Sequence, residues 1–288
     1  MGPYYGSCTM PFVSLGKDRI YTEIHGEGED LLLVPGLGGR AQFWSAQVKP
    51  LSKHFRVILH DHRGTGRSSR SNIVYGAKQM AEDLLRVMDG LKISSAHMVG
   101  HSTGGAIGQH IALTNPERLK KLVLSASWCG PDPLFIQLFE TRRQVLISCG
   151  PSAYLFMGTL LATPAWYLQS RFASSRDFME SRLKDFSGLE IELSRLSAVM
   201  SHDLRSHVHK IKTQTLVIGA EDDQITPPGF SQELAERIPG AKSVLLPKGG
   251  HFCPMTVAET YNQHILSFLS PSKPAKAPAR RSKQNARI

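Results

Sequence analysis

One hexapeptide in this chain has the residue types and spacing for covalent chemistry: Gly100-His101-Ser102-Thr103-Gly104-Gly105. It follows the apolar run Ala96-His97-Met98-Val99 and precedes a helix-compatible stretch, so a G-x-S-x-G pattern falls at a strand–turn–helix junction. Such a turn is tight enough to force the serine into a strained backbone conformation, and side chains at Gly100 or Gly104 would collide with the neighbouring strand and helix. The serine oxygen then projects at a helix N-terminus, where the dipole favours developing negative charge. The chemistry predicted is nucleophilic attack by Ser102.

A serine hydroxyl is a weak nucleophile without an adjacent base. The elbow pattern predicts the chain order serine, acid, histidine. His251, in Lys248-Gly249-Gly250-His251-Phe252 after the last strand candidate, is the expected base. Three carboxylates crowd the segment Glu221-Asp222-Asp223-Gln224-Ile225-Thr226-Pro227-Pro228. Counting forward from Gly219 favours Asp222, and counting back from the proline that opens the next helix favours Asp223. The proline fixes the helix start, so Asp223 is the expected acid. An oxyanion needs donors, and the expected ones are the backbone N–H groups of Thr103 and Leu37. Leu37 sits in Pro35-Gly36-Leu37-Gly38-Gly39, where Gly36 lets the backbone approach a substrate. Trp128 and Trp166 are candidates for lining the substrate pocket.

These motifs admit two other readings. Gly36-x-Gly38-x-x-Ala41 after a strand matches a dinucleotide-binding fingerprint, with Asp61 near a ribose. That reading leaves the elbow, the acid loop and the Gly-Gly-His unexplained. Asp61 to Ser68 reads instead as a hydrogen-bonded structural turn. His202, His207 and His209 cluster without the spacing of a common zinc site, so no metal site is expected.

The elements that must position these residues follow from the hydropathy pattern. Strands are expected at 12–15, 19–25, 31–34, 56–60, 96–100, 121–125, 214–219 and 243–247. Helices are expected near 41–51, 77–91, 103–114, 228–238 and 255–269. Continuous apolar runs such as Leu122-Val123-Leu124 are those of strands covered on both faces. Alternation of β and α predicts a mostly parallel sheet with right-handed crossovers, preceded by a hairpin near Gly16-Lys17-Asp18. The alternation stops over 128–211, where short helices are expected at 134–147, 152–161, 165–171, 177–185 and 189–201. The expected organisation is an α/β core over 1–127 and 212–269, an inserted helical cap over 128–211, and a disordered basic tail over 270–288.

Composition bounds the rest. A chain of 288 residues with 41% hydrophobic and 20% charged residues builds a sizeable core. The net charge of +10 falls to about +4 once the six basic residues of the tail are set aside, which argues against a nucleic-acid partner. The four cysteines form no C-x-x-C pair and fit a reducing, cytoplasmic setting. Neither a secretory signal nor an apolar run of membrane length is read in the sequence. No motif specifies an oligomeric state.

Four separated motifs in the right order make the chain resemble the α/β-hydrolase fold superfamily over about Phe12 to Leu269. Within it, the chain resembles the cofactor-free hydrolases that include 3-oxoadipate enol-lactonase. It resembles more closely the aminoacrylate hydrolases of pyrimidine catabolism, the pyrimidine-utilisation protein D family. Thr141-Arg142-Arg143-Gln144-Val145, Ser201-His202-Asp203-Leu204 and Gly249-Gly250-His251-Phe252-Cys253 carry that second likeness. It implies a triad of Ser102, Asp223 and His251, no cofactor, and a small-molecule substrate of polar acyl or enamine type rather than a long lipid. The expected activity is hydrolysis of a small ester, lactone or amide-type bond through an acyl-enzyme. The alternatives are a carbon–carbon bond hydrolase or cofactor-free perhydrolase on the same triad, and a ligand-binding protein with vestigial chemistry. Relatives of this fold that dehalogenate or open epoxides use an aspartate nucleophile, so Ser102 disfavours those reactions.

Overall fold

The computed structural model describes residues 11–270, without the side chains of 172–175 and 178. The expectations for the first ten residues and for the basic tail beyond Ser270 lie outside the described residues. Eight strands form one sheet: β1 Phe12–Leu15, β2 Asp18–His25, β3 Glu29–Val34, β4 Phe55–His60, β5 Ala96–His101, β6 Leu119–Ser125, β7 Gln214–Ala220 and β8 Lys242–Leu246. Their order is β1-β2-β4-β3-β5-β6-β7-β8. The β1–β2 and β2–β4 pairs are antiparallel, the first as the expected hairpin, and every later pair is parallel.

Alternating strand residues build the two faces. Leu32, Val34, Ile58, Met98, Leu122, Leu124 and Val217 point to one side. They meet the apolar faces of α2 (Ala77–Gly90) and α3 (Thr103–Thr114). Leu31, Leu33, Val57, Leu59, Val99, Val123 and Leu216 point to the other. There they meet α1 (Ser45–Leu51), which follows a short 3-10 turn at Ala41–Trp44, and the last helix of the chain. In α2 the buried Ala77, Met80, Ala81, Leu84, Val87 and Met88 recur at three- and four-residue spacing.

Between β6 and β7 run three helices: α4 Pro133–Ala162, α5 Ala165–Lys184 and α6 Leu189–Ser201. Five were expected. Gly150 (φ 79°) breaks α4 and Arg171 (φ −137°) breaks α5, so the helical stretches correspond to the expected ones. Asp132 caps α4 by accepting from the Phe135 N–H at 2.7 Å. By length and composition alone α4 as a whole is long and apolar enough to cross a membrane, although no such run was expected from the sequence. The break at Gly150 divides it, and its inner face gives Phe135, Phe139, Leu146 and Tyr154 to a third apolar cluster shared with Trp128 and Leu196. Arg205 ties the two ends of the insertion together, donating to Gly130 O at 2.7 Å and to Glu233 Oε1 at 2.7 Å. Glu233 stands on α7, Pro228–Arg237, and the described residues close with the short α8, Cys253–Thr256, and α9, Ala258–Leu269.

The carboxyl ends of β3, β5, β7 and β8 open on one edge of the sheet, beneath the inserted helices. This edge is where parallel α/β sheets place their ligands.

The fold buries several histidines in neutral form. Burial lowers His60 to about 4. Burial, with a smaller contribution from nearby His110, lowers His202 to about 3. A histidine that titrates near 6.5 when unfolded but lower when folded binds more protons in the unfolded chain. Its stabilising effect is complete above about pH 6.5 and is lost as pH falls toward the folded value, at up to ~1.4 kcal/mol per pH unit for each group. Unfolding free energy from urea titrations therefore declines between pH 7 and pH 5. The decline is shallower in His60→Gln and His202→Gln, and a flat profile in the wild type contradicts the account.

Candidate active site

Ser102 leaves β5 and enters α3 with φ 55° and ψ −117°, a left-handed conformation rare for a residue with a side chain. Its surroundings hold it there. Ser102 N–H donates to Ser125 O at 2.8 Å, and Ser127 Oγ donates to Ser102 O at 3.0 Å. A Cβ on Gly100 would strike the Gly104 carbonyl, and one on Gly104 would strike the Val34 carbonyl, both far inside van der Waals contact. The glycines of the motif are therefore required by close packing of β5, α3 and β3.

Asp223 and His251, the expected acid and base, stand on loops after β7 and β8. His251 Nδ1 lies 2.9 Å from Asp223 Oδ2, and the Asp223 side chain is fully enclosed. Asp223 Oδ1 accepts the N–H groups of Ile225 (2.8 Å) and Thr226 (2.9 Å), and Oδ2 also accepts the Thr226 hydroxyl (2.8 Å). With Nδ1–H donating to Asp223, the free lone pair of the imidazole sits on Nε2. Asp222 is engaged elsewhere, accepting the Gly250 N–H at 2.7 Å. Geometry thus separates the two neighbours: Asp223 orients the ring, and Asp222 holds the backbone of the histidine loop.

Ser102 and His251 line one pocket, together with Gly36, Leu37, Thr103, His101, Phe43, Phe139 and Phe252. Among the described residues no hydrogen bond joins the serine oxygen to the imidazole. Such contacts commonly tighten only with substrate bound. His101 stacks on Phe43 with ring centroids 4.7 Å apart and lies 4.9 Å from His251. Burial, and then the nearness of the His251 ring, hold His101 well below the usual histidine range.

The loop after β3 is placed close to the serine, since a Cβ on Gly36 would come within 3.0 Å of Ser102 Cβ. Neither the Leu37 N–H nor the Thr103 N–H donates to a protein acceptor among the described residues, and both residues line the pocket. The loop is pinned from behind. Arg195 of α6, with no exposed surface, donates to Leu37 O at 2.7 Å. Gly39 O accepts from His62 N at 2.7 Å and from Thr65 Oγ1 at 2.8 Å. Asp61 accepts from Ala41 N at 2.8 Å and Arg67 N at 2.9 Å, a structural role in place of the ribose contact weighed above.

Two expected site residues are corrected. Trp128 is buried against Phe135 (5.0 Å) and His202 (5.5 Å) and does not line the pocket. Trp166 is 40% exposed beneath Lys248, again outside the pocket lining. Trp128 is taken up by the apolar packing beneath α4, whereas Trp166 stands partly exposed on α5 against Tyr167 and Lys248. Arg195, Arg142 and Arg182 were not anticipated. A signal existed for two of them: Arg142 shares a helical stripe with Phe135, Phe139 and Leu146, and Arg195 shares one with Leu196 and Val199.

A sequence profile of the α/β hydrolase fold matches residues 31–256, and the chain belongs to that family of enzymes. It is 36% identical over 258 residues to the protein named "Putative carbamate hydrolase RutD" of Caulobacter sp. strain K31, covering 88% of this chain and 96% of that one. The protein of the same name from Azorhizobium caulinodans is 34% identical over 259 residues, covering 90% and 98%. Among solved structures, the enol-lactonase of Burkholderia xenovorans LB400 superposes with a TM-score of 0.82 at 27% identity, covering 90% and 99%.

The separate tasks of the two aspartates give opposite expectations. Asp223→Asn lowers kcat on a small activated ester such as 4-nitrophenyl acetate by on the order of 10³–10⁴, because the amide stabilises the wrong ring tautomer. Asp222→Asn costs less than about tenfold. Equal losses, or a larger loss at Asp222, would reverse the assignment.

Proposed function

We propose that this hydrolase cleaves small ester, lactone, or amide- and carbamate-type bonds through an acyl-enzyme on Ser102. One observation carries the reading: the enclosed carboxylate of Asp223 bonds to Nδ1 of His251, in the same pocket as an elbow serine. Asp223 fixes the tautomer that leaves Nε2 as proton acceptor. Ser102 Oγ bonds to the electrophilic carbon as its proton passes to Nε2. The carbonyl electrons move to an oxyanion held by the Leu37 and Thr103 N–H groups. Collapse expels the leaving group, which takes the proton from Nε2. Water, deprotonated by the same nitrogen, then adds to the acyl carbon; collapse breaks the bond to Ser102 Oγ, which takes the proton back from Nε2, and the acid is released. Each step uses only groups of this chain and water.

The likeness to proteins named carbamate hydrolases and to an enol-lactonase supports a compact, polar substrate. The chain itself is divided, in this reading, into the sheet core that carries the triad and the cap over 128–211 that shapes the pocket. Phe139, Arg142, Gly158, Ala162 and Arg182 of that cap line the pocket directly.

Ser102→Ala should lower kcat by about 10⁴ or more while the thermal midpoint stays near that of wild type. A fluorophosphonate probe should label the wild-type chain once, at Ser102, and fail to label the variant. Near-normal turnover in Ser102→Ala, or labelling at another residue, would overturn the serine mechanism.

A further inference from the structure

Three arginines, Arg40, Arg142 and Arg182, line the pocket that holds Ser102, and no aspartate or glutamate among the described residues lines it. Arg40 is already paired, 2.8 Å from Asp185. Arg142 is different. It is only 7% exposed, and its Nε is buried without an acceptor. Among the described residues it forms no ion pair. Its guanidinium lies 5.1 Å from the Phe139 ring centre and 5.0 Å from that of Tyr154. The Tyr154 hydroxyl donates to Glu192 Oε1 at 2.6 Å. Gly158 leaves room for the head group, since a Cβ there would come 2.9 Å from Arg142 Nη2. Arg182 is near enough for the two positive charges to repel each other.

Burying a cation without a counter-ion is costly, and the aromatic faces return only part of that cost. A methionine or leucine would fill the same stripe of α4, beside Phe139 and Leu146, at no electrostatic expense. An unpaired guanidinium facing a site of chemistry is suited to a planar anion, which it can grip with two parallel N–H bonds.

We propose that Arg142, with Arg182 beside it, anchors a carboxylate on the substrate, so that the productive substrate carries an anionic group as well as the bond attacked by Ser102. The inference rests on the hydrolase reading of the same pocket and adds a specificity determinant to it. The anchored charge orients the electrophilic carbon toward the serine, and a neutral substrate of equal shape lacks that orientation.

Two esters with the same reporter group test this: 4-nitrophenyl hydrogen succinate and its neutral isostere 4-nitrophenyl 4-methylpentanoate. The readout is the ratio of their kcat/KM values, which is insensitive to a general loss of folded enzyme. Wild type should favour the succinate ester. Arg142→Met should reduce the ratio about 10- to 100-fold, mainly through KM for the anionic ester, and Arg142→Lys should restore part of it. An unchanged ratio would overturn the proposal. A measurement on the wild type alone guards against a variant that does not fold. Succinate should protect Ser102 from the fluorophosphonate probe at lower concentration than the neutral succinamide, and equal protection by the two also overturns the proposal. Calorimetric titration of succinate needs no turnover. Succinate binding with no Ser102 labelling would sink the hydrolase reading alone, whereas labelling with no succinate binding would sink the anion site alone.

Discussion

At Ser102 the chain must turn from a central strand into a helix within one residue, and it does so at φ 55°. Holding a residue with a side chain in that region costs on the order of 1–3 kcal/mol. The cost is borne because β5 lies between β3 and β6, and its exit is closed in by both. Ser125 and Ser127, at and just beyond the end of β6, bond the Ser102 backbone, while Gly104 packs against the end of β3. The serine oxygen is exposed to the pocket as a consequence of how the sheet is packed.

The other parts of the site are referred to that point. Strand order places the loops after β3, β7 and β8 along one edge, so residues far apart in the chain reach one pocket. Each is then fixed by polar contacts behind it. Four donors hold Asp223, Asp222 holds the histidine loop, and Arg195 holds the Leu37 carbonyl. Arg195 belongs to the insertion, as do Arg142 and Arg182. The insertion that walls the pocket through α4 and α5 therefore also supports, through α6, the loop expected to bind the oxyanion.

Much of this was legible in the residues. Apolar runs such as Val57-Ile58-Leu59 marked buried strands because parallel strands are covered on both faces. The boundaries slipped where polar residues continue a strand. β3 starts at Glu29 because Glu29 and Asp30 still pair with β4, with Asp30 bonded to Arg56 at 2.9 Å. Pro228 opens α7, and counting back from it led to Asp223 rather than Asp222. The pocket walls were harder to read. Which face of α4 meets the serine depends on the break at Gly150 and on packing against α6, and neither follows from local periodicity. Trp128 and Trp166 were expected in the pocket from residue type and their places at the start and middle of the insertion; Trp128 packs against Phe135 instead, and Trp166 stands partly exposed beneath Lys248.

The central claim is that a serine bent out of the sheet, with a carboxylate-held imidazole at hand, takes the acyl group onto its own oxygen. Rapid mixing with excess 4-nitrophenyl acetate, followed by acid quench and peptide mass analysis, tests it directly. The account predicts a burst approaching one nitrophenolate per chain, with the acetyl group on the peptide that contains Ser102. An acetyl group found reproducibly on His251 or on a cysteine instead, with the Ser102 peptide unmodified throughout turnover, would contradict it.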